Sequence, residues 1–215
     1  MELIEPDTNL IATSAPIREP EMALFEAVRR GDERAFEELI GCYKDRIFNY
    51  VLRMVRRRDL AEDLTQEVFV RVYLSVRTVK SGRSLIPWMY RIANNACIDE
   101  HRRRRFEKTM VTSLDEPVQT STGEVAAEVA DESSSPERIA RRNELSRIVQ
   151  QAIADLPPKM RSVVIMFDME ELTYEQIAEA VECPIGTVKS RLFNARMILR
   201  EQLSAYVTGS ATPPE

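Results

Sequence analysis

Apolar residues recur along this chain at intervals of three and four in separate blocks, and each block predicts one helix. Met22, Phe25 and Val28 begin a short helix that Gly31 should end, leaving Asp32 to cap the next. Phe36, Leu39, Ile40, Tyr43, Ile47, Val51 and Met54 mark the buried face of a helix reaching about Val55. The stretch Arg56 to Asp59 breaks it. A third helix, from about Asp59 to Val79, turns Leu60, Leu64, Val68, Val72 and Val76 inward and carries Asp59, Glu62, Asp63, Gln66 and Glu67 on its other side. TVKSGRS, residues 78–84, reads as a loop with Gly82 as breaker. A fourth helix, Pro87 to about Phe106, sets Trp88, Ile92, Ala96 and Cys97 inward. Arg91, Asn94, Asn95, Asp99 and then HRRRR, 101–105, face outward. The periodicity lapses over 109–136. It returns with Ile139, Leu145, Ile148, Val149, Ala152 and Ile153, in a helix that Pro157-Pro158 must stop, and a short helix, Lys159 to Met169, follows.

The sharpest pattern is LTYEQIAEAVECPIGTVKSRLFNARMILR, residues 172–200. Thr173 and Gln176 have the spacing of a capping box, with Leu172 and Ile177 as its hydrophobic staple. Pro184 restarts the chain, and Val188, Leu192, Ala195, Leu199 and Leu203 then form one apolar stripe. Lys189, Ser190, Arg191, Asn194 and Arg196 lie off that stripe. Two short helices about a tight turn, the second basic on its outer side, suit a major groove; an ordinary core helix with a solvated basic face is the alternative. The fold class expected is all-α: two small helical domains joined by a flexible acidic linker, the second containing a helix-turn-helix. The boundaries are 1–20 for a disordered lead-in, 21–108 for the first domain, 109–136 for the linker, 137–203 for the second domain and 204–215 for a disordered tail.

Charge appears to oppose a nucleic-acid partner until it is located. The 215 residues carry a formal net charge of -5, but 109–137 holds seven acidic residues and no Lys or Arg. The remainder is slightly positive, with its cations concentrated in 91–108 and 189–200. Cys42, Cys97 and Cys183 are far apart and form no cluster with His101, the single histidine, which excludes a zinc site and argues for a reducing cytoplasm. No leader pattern and no apolar run of membrane-spanning length is present, so a soluble cytoplasmic protein without membrane insertion is expected.

Four features carry candidate chemistry. Asp63, Gln66 and Glu67 share one helix face, either solvated, a dock for a basic partner, or the paired carboxylates of a hydrolase. No His or Cys accompanies them, which counts against catalysis. Arg102, Arg103, Arg104 and Arg105 sweep round a helix; they either relieve its C-terminal dipole or neutralise phosphate. Trp88 and Tyr90, near Arg91 and Asn95, suit either the core or stacking on single-stranded bases. Phe193, off the stripe of its helix, suits either a rim contact or a thymine methyl.

Taken together, DLAEDLTQEVFVRVY, PWMYRIANNACIDEHRRRR, ADLPPKMRSVV and LTYEQIAEAVECPIGTVKSRLFNAR resemble a bacterial RNA polymerase sigma factor of the extracytoplasmic-function type, with regions 2 and 4 only. The resemblance covers 21–108 and 137–203. It implies a non-enzymatic specificity subunit without a cofactor. Its partners would be core polymerase, through the β′ clamp helices and the β subunit, promoter DNA and an anti-sigma factor. Asp63, Gln66 and Glu67 would dock on the β′ clamp. The loop 78–86 with Arg91 and Asn95 would capture the melted -10 element, flipping a base at an unstacking cost of a few kcal/mol, and Arg102 to Arg105 would lie along adjacent backbone. Lys189, Ser190, Arg191, Phe193, Asn194 and Arg196 would lie on the helix reading the -35 element, with Thr187 at its N-terminus. The family's usual glycine in the turn, at a site that often needs a positive φ, is here Glu182, which implies either a differently bent turn or a cost of about 1 kcal/mol. Asn194 replaces a common Arg or His, and Leu85-Ile86-Pro87 replaces an aromatic-containing approach to Trp88. A stand-alone helix-turn-helix regulator is the rival reading, and it leaves 21–108 without a role.

Overall fold

Helix starts and stops follow local chemistry closely. The computed structural model describes residues 19–79, 84–111 and 136–207, and every regular element among them is helical. Helix α1 spans Glu19–Arg29, α2 Glu33–Val55 and α3 Arg58–Ser75, the last followed by a 3-10 turn, Val76–Thr78. Helix α4 is Leu85–Val111 and α5 Pro136–Asp155. Helix α6, Pro158–Val164, widens into a π turn, Ile165–Met169, and α7, Tyr174–Ala180, and α8, Ile185–Val207, complete the order. Residues 1–18 of the expected lead-in, the tail beyond Val207, most of the loop after Val79 and most of the acidic linker lie outside the described residues, while α1 and α8 extend the helical chain into 19–20 and 204–207, expected from the pattern to belong to the disordered ends.

Gly31 takes φ 91° between α1 and α2, and the Asp32 side chain accepts from the amides of Arg34 and Ala35, as the capping pattern requires. At α7 both halves of the capping box are made: Gln176 N–H donates to Thr173 Oγ1 at 3.2 Å and Thr173 N–H to Gln176 Oε1 at 2.9 Å. The expected break at 56–59 shortens to Arg56 and Arg57, because Arg56 adopts the left-handed conformation and stops α2 in one residue. Helix α4 runs past the expected end at Phe106, since FEKTMV, 106–111, contains neither Gly nor Pro to stop it.

The two helical units, α1–α4 and α5–α8, pack directly on each other. Helices α2, α3 and α4 surround a core of Leu39, Ile47, Tyr50, Val51, Val68, Val72 and Ala93, and α1 adds Phe25 and Val28. In the other unit α7 and α8 close over Val163, Ile165, Met166, Ile177, Val188, Leu192 and Ala195. Helix α4 lies between the units, packed on α2 and α3 on one side and on α7 on the other. Consequently Met89, Tyr90 and Asn94 are buried along with the expected Trp88, Ala96 and Cys97. Asn94, expected on the outward face, instead accepts through its side-chain oxygen from Tyr50 Oη at 3.1 Å. Burial pushes the Cys97 thiol up to about 12, so it stays protonated and unreactive.

Polar groups stitch the units together. Glu170, 6% exposed, follows the π turn and receives Tyr90 Oη at 2.6 Å, Arg46 Nε at 3.4 Å and Arg53 Nη1 at 3.5 Å. Arg46 Nη2 also donates to the Glu170 carbonyl at 2.8 Å. Arg161 of α6 donates to the carbonyls of Met54 at 2.7 Å, of Leu156 at 3.1 Å and of Ala154, joining the last turns of α2 and α5. Arg56 reaches Gln151 at 2.6 Å, and Arg91 reaches Glu182 at 3.1 Å.

Candidate polymerase-docking and nucleic-acid interfaces

On α3 the burial of Leu64, Thr65, Val68 and Phe69 forces Asp63, Gln66 and Glu67 to the outside, in one strip. Glu67 Oε1 accepts from Arg71 Nη2 at 2.6 Å, an exposed i, i+4 pair worth a few tenths of a kcal/mol. The strip continues at the same spacing into Val70, 56% exposed, and Leu74, 72% exposed. Sequence reasoning passed over these two, although apolar residues off a helix's buried stripe were a signal in plain view.

On α4, Asn95 is exposed while Arg91 is half-buried and tied to Glu182 in the helix-turn-helix turn. The arginine run is less available than its sequence implies. Arg102 lies 3.6 Å from Asp99, and Glu100 takes Arg103 at 2.7 Å and Arg104 at 2.8 Å. Burial works to raise the Glu100 carboxyl, but the hydrogen bonds from Arg103 and Arg104 outweigh it and hold the group below its usual range. With α4 continuing to Val111, these arginines do not sit at a helix end, and the dipole explanation for them falls away. Arg105 is exposed. Of the loop 78–86, residues 80–83 lie outside the described set.

On α8 the stripe Val188, Leu192 and Ala195 is fully covered, and Leu199 and Leu203 are half-buried. Lys189, Ser190, Phe193, Asn194 and Arg196 are exposed in return, with Thr187 and Arg191 half-buried. Phe193 is 66% exposed, too open for a rim contact within this chain. Lys189 Nζ stands 5.4 Å from the Tyr174 ring and the Arg196 guanidinium 5.3 Å from the Phe167 ring, so stacked Phe167 and Tyr174 hold both cations in place. Arg196 also pairs with Asp168, and Ser190 Oγ donates to the Thr187 carbonyl at 3.0 Å. Among the described residues Arg191 Nη1 meets Cys183 Sγ at 3.6 Å, a weak contact that leaves the guanidinium able to swing outward.

Glu182, in the turn between α7 and α8, has φ 51°, the left-handed value that a glycine would take without strain. Glu182→Gly should therefore raise the melting temperature by roughly 2–4 °C, the equivalent of about 1 kcal/mol. The exposed Arg91 pair lost with it is worth less. A melting temperature unchanged or lowered in a thermal scan would mean that the pair outweighs the strain.

Among the described residues no group of His, Cys, Asp and Glu is arranged to hold a metal, and no helix is long and apolar enough to cross a membrane. The family models described as Sigma-70 region 2 and Sigma-70, region 4 match residues 39–107 and 146–199. The ECF RNA polymerase sigma factor SigW of Bacillus subtilis is 34% identical over 180 residues, 83% of this chain and 94% of that protein. The chain belongs to the ECF RNA polymerase sigma factors. A second relative, the RNA polymerase sigma-H factor of Pseudomonas aeruginosa, is 34% identical over 86% of this sigma factor and 95% of its own length. Two solved structures share the fold. The sigma factor RpoE in complex with the anti-sigma factor NepR from Bartonella quintana has a TM-score of 0.62 at 22% identity, covering 79% of this chain and 96% of that one. CnrH in complex with the cytosolic domain of CnrY has a TM-score of 0.63 at 18% identity, covering 87% and 99%. Helices α2–α4 thus fall in region 2 of this sigma factor and most of α5–α8 in region 4.

Proposed function

We propose that this sigma factor binds core RNA polymerase in the cytoplasm, carries it to promoters by reading -35 and -10 elements, and promotes DNA opening, while the polymerase performs the chemistry. The acidic strip Asp63, Gln66 and Glu67 docks on the β′ clamp helices. Arg91, Asn95 and the arginines 102–105 serve the opened -10 DNA, where Arg102, Arg103 and Arg104 exchange their intrahelical carboxylates for phosphates. Thr187, Lys189, Ser190, Arg191, Phe193, Asn194 and Arg196 serve the -35 duplex. An anti-sigma protein is the expected restraint, in keeping with the RpoE structure, in which the anti-sigma factor NepR is bound. The observation that carries the reading is α8, which buries one apolar stripe and presents Lys189, Phe193 and Asn194 outward.

The deciding experiment is in vitro transcription with sigma-free core polymerase on a library of genomic promoters. Initiation at a defined set of sites is expected. No initiation, with tight binding of duplex sites by the protein alone, would overturn the proposal in favour of a stand-alone regulator. Within that assay Arg191→Ala should cost about 1–3 kcal/mol in initiation where the -35 element is intact. An equal loss on templates lacking that element would rule out base reading by Arg191.

A further inference from the structure

We infer that the described arrangement is a closed resting form of this sigma factor, and that Glu170 is the latch between regions 2 and 4, which must release before both promoter elements can be engaged at once. The inference rests on the proposed promoter reading. The -35 and -10 elements are separated, by their names, by about 25 base pairs, roughly 85 Å of B-DNA at about 3.4 Å per step. In this structure Arg91, assigned to the -10 side, touches Glu182 in the turn that introduces the -35 helix, at 3.1 Å. The -10-side and -35-side residues are thus in contact, and a molecule in this form cannot span the two elements. About 25 peptide steps join Val111 to Pro136, a contour long enough to let the regions part.

The closed form does not disable the two faces equally. Lys189, Ser190, Phe193 and Asn194 remain exposed, so duplex reading survives. On the -10 side Asn95 also stays exposed, but Arg91 is half-buried and held by Glu182 in the turn before α8. What closure withholds is Arg91, together with the separation that the two promoter elements require.

Glu170 is singled out by where its partners come from. Its carboxylate is 6% exposed, yet the groups that satisfy it, Arg46 and Arg53 on α2 and Tyr90 on α4, all belong to region 2. A buried carboxylate is costly unless paired, and region 4 supplies no side-chain partner for it among the described residues. The group is therefore satisfied in only two ways, by closure on region 2 or by exposure to water. Such a group makes the contact two-state, and its donors identify the surface it recognises.

The test uses the full chain with Cys42→Ser and Cys183→Ser, leaving buried Cys97. Spin labels at two exposed sites, Lys44→Cys on α2 and Glu201→Cys on α8, report the separation of the regions by pulsed electron paramagnetic resonance. A single short distance is expected, and Arg46→Glu, which sets a like charge against Glu170, should convert it to a longer, broader distribution. Circular dichroism of Arg46→Glu checks that the helices survive; should they not, Arg53→Glu supplies the same repulsion from a neighbouring position. A broad distribution already in the unsubstituted chain, or no change in a folded variant, would overturn the latch. Separately, Arg56→Cys with Gln151→Cys, two side chains outside the proposed binding faces, are joined by a bismaleimide that contains a disulfide. The joined protein should lose open-complex formation with core polymerase by about tenfold or more, and cleavage of the linker should restore it. Full activity in the joined state would overturn the claim that closure is inactive. If the unjoined protein initiates nowhere, the proposed function fails, whereas the distance measurement still decides the latch.

Discussion

Arg161→Met should lower the melting temperature by roughly 10 °C, the largest stability effect expected of any polar substitution here, because one guanidinium serves three backbone carbonyls. Those of Met54 and Ala154 belong to the last turns of α2 and α5, where the helix leaves acceptors without internal partners, and that of Leu156 lies in the link to α6. Leaving a buried acceptor unpaired costs about 1–3 kcal/mol each, for a gross loss of several kcal/mol. Relief opposes it: burial, and then the nearby Arg56 charge, hold the Arg161 guanidinium below its usual range, so removing it recovers desolvation energy. The carbonyls also regain some water. A net of about 3 kcal/mol remains, and at about 2–4 °C per kcal/mol for a chain of this size that gives the stated shift. Arg161→Lys should recover less than half, since a single ammonium cannot match the planar fork across three acceptors. A shift under about 2 °C for Arg161→Met in a circular-dichroism melt would show that the carbonyls find water freely.

Asp63→Arg should weaken binding to sigma-free core polymerase by about a hundredfold, near 2.7 kcal/mol, without altering which promoters are used by the complexes that still form. Asp63 is exposed and faces away from Leu64 and Val68, so its replacement should leave stability within about 0.5 kcal/mol. The loss would come from the partner's side of the contact, where a cation meets a cation. Asp45→Arg on α2 makes the same change of net charge at another exposed site and should cost little. Equal losses for the two variants, measured by fluorescence anisotropy at one salt concentration, would reduce the α3 strip to an ordinary solvated face. The apolar continuation at Val70 and Leu74 marks where such a contact would shed its salt dependence, because apolar burial is not screened.

What was legible in the sequence is what neighbouring residues determine. The α7 start needed only Thr173, Gln176, Leu172 and Ile177, all within six positions, and each took its expected role. The α8 stripe and the outward set around it follow from period alone. Of the two outcomes that the family resemblance implied for Glu182, a bent turn or a strained positive φ, the second is the one found. What was not legible depends on partners distant in sequence. Asn94 reads as an outward polar residue until Tyr50, 44 positions earlier, is seen to donate to it. Tyr90 reads as a candidate stacking platform until Glu170, 80 positions later, claims its hydroxyl. The arginine run lies between these cases. Its pairing with Asp99 and Glu100 obeys the i, i+3 and i, i+4 rule and was available to a reader who counted carboxylates as well as cations. The contact between the units had no local signature at all, since each unit alone satisfies its own periodicity.

The π turn over Ile165–Met169 gives that contact an unusual dependence. Its backbone closes over five residues, Glu170 N–H reaching the Ile165 carbonyl at 3.1 Å, one residue more than an α-helical turn holds. Each residue in a helix advances the direction of a side chain by about 100°. Deleting a single codon within 165–169 would restore an ordinary α turn and swing the Glu170 carboxylate about 100° away from Arg46, Arg53 and Tyr90. The capping box that starts α7 would keep its residues, whereas Phe167 and Asp168, which steady Arg196 on α8, lie in the same turn and would shift with it. How firmly this sigma factor stays shut is thus written in the number of residues in one turn, and the same turn also steadies Arg196, so a change in its length would be felt at both the latch and the promoter-facing helix.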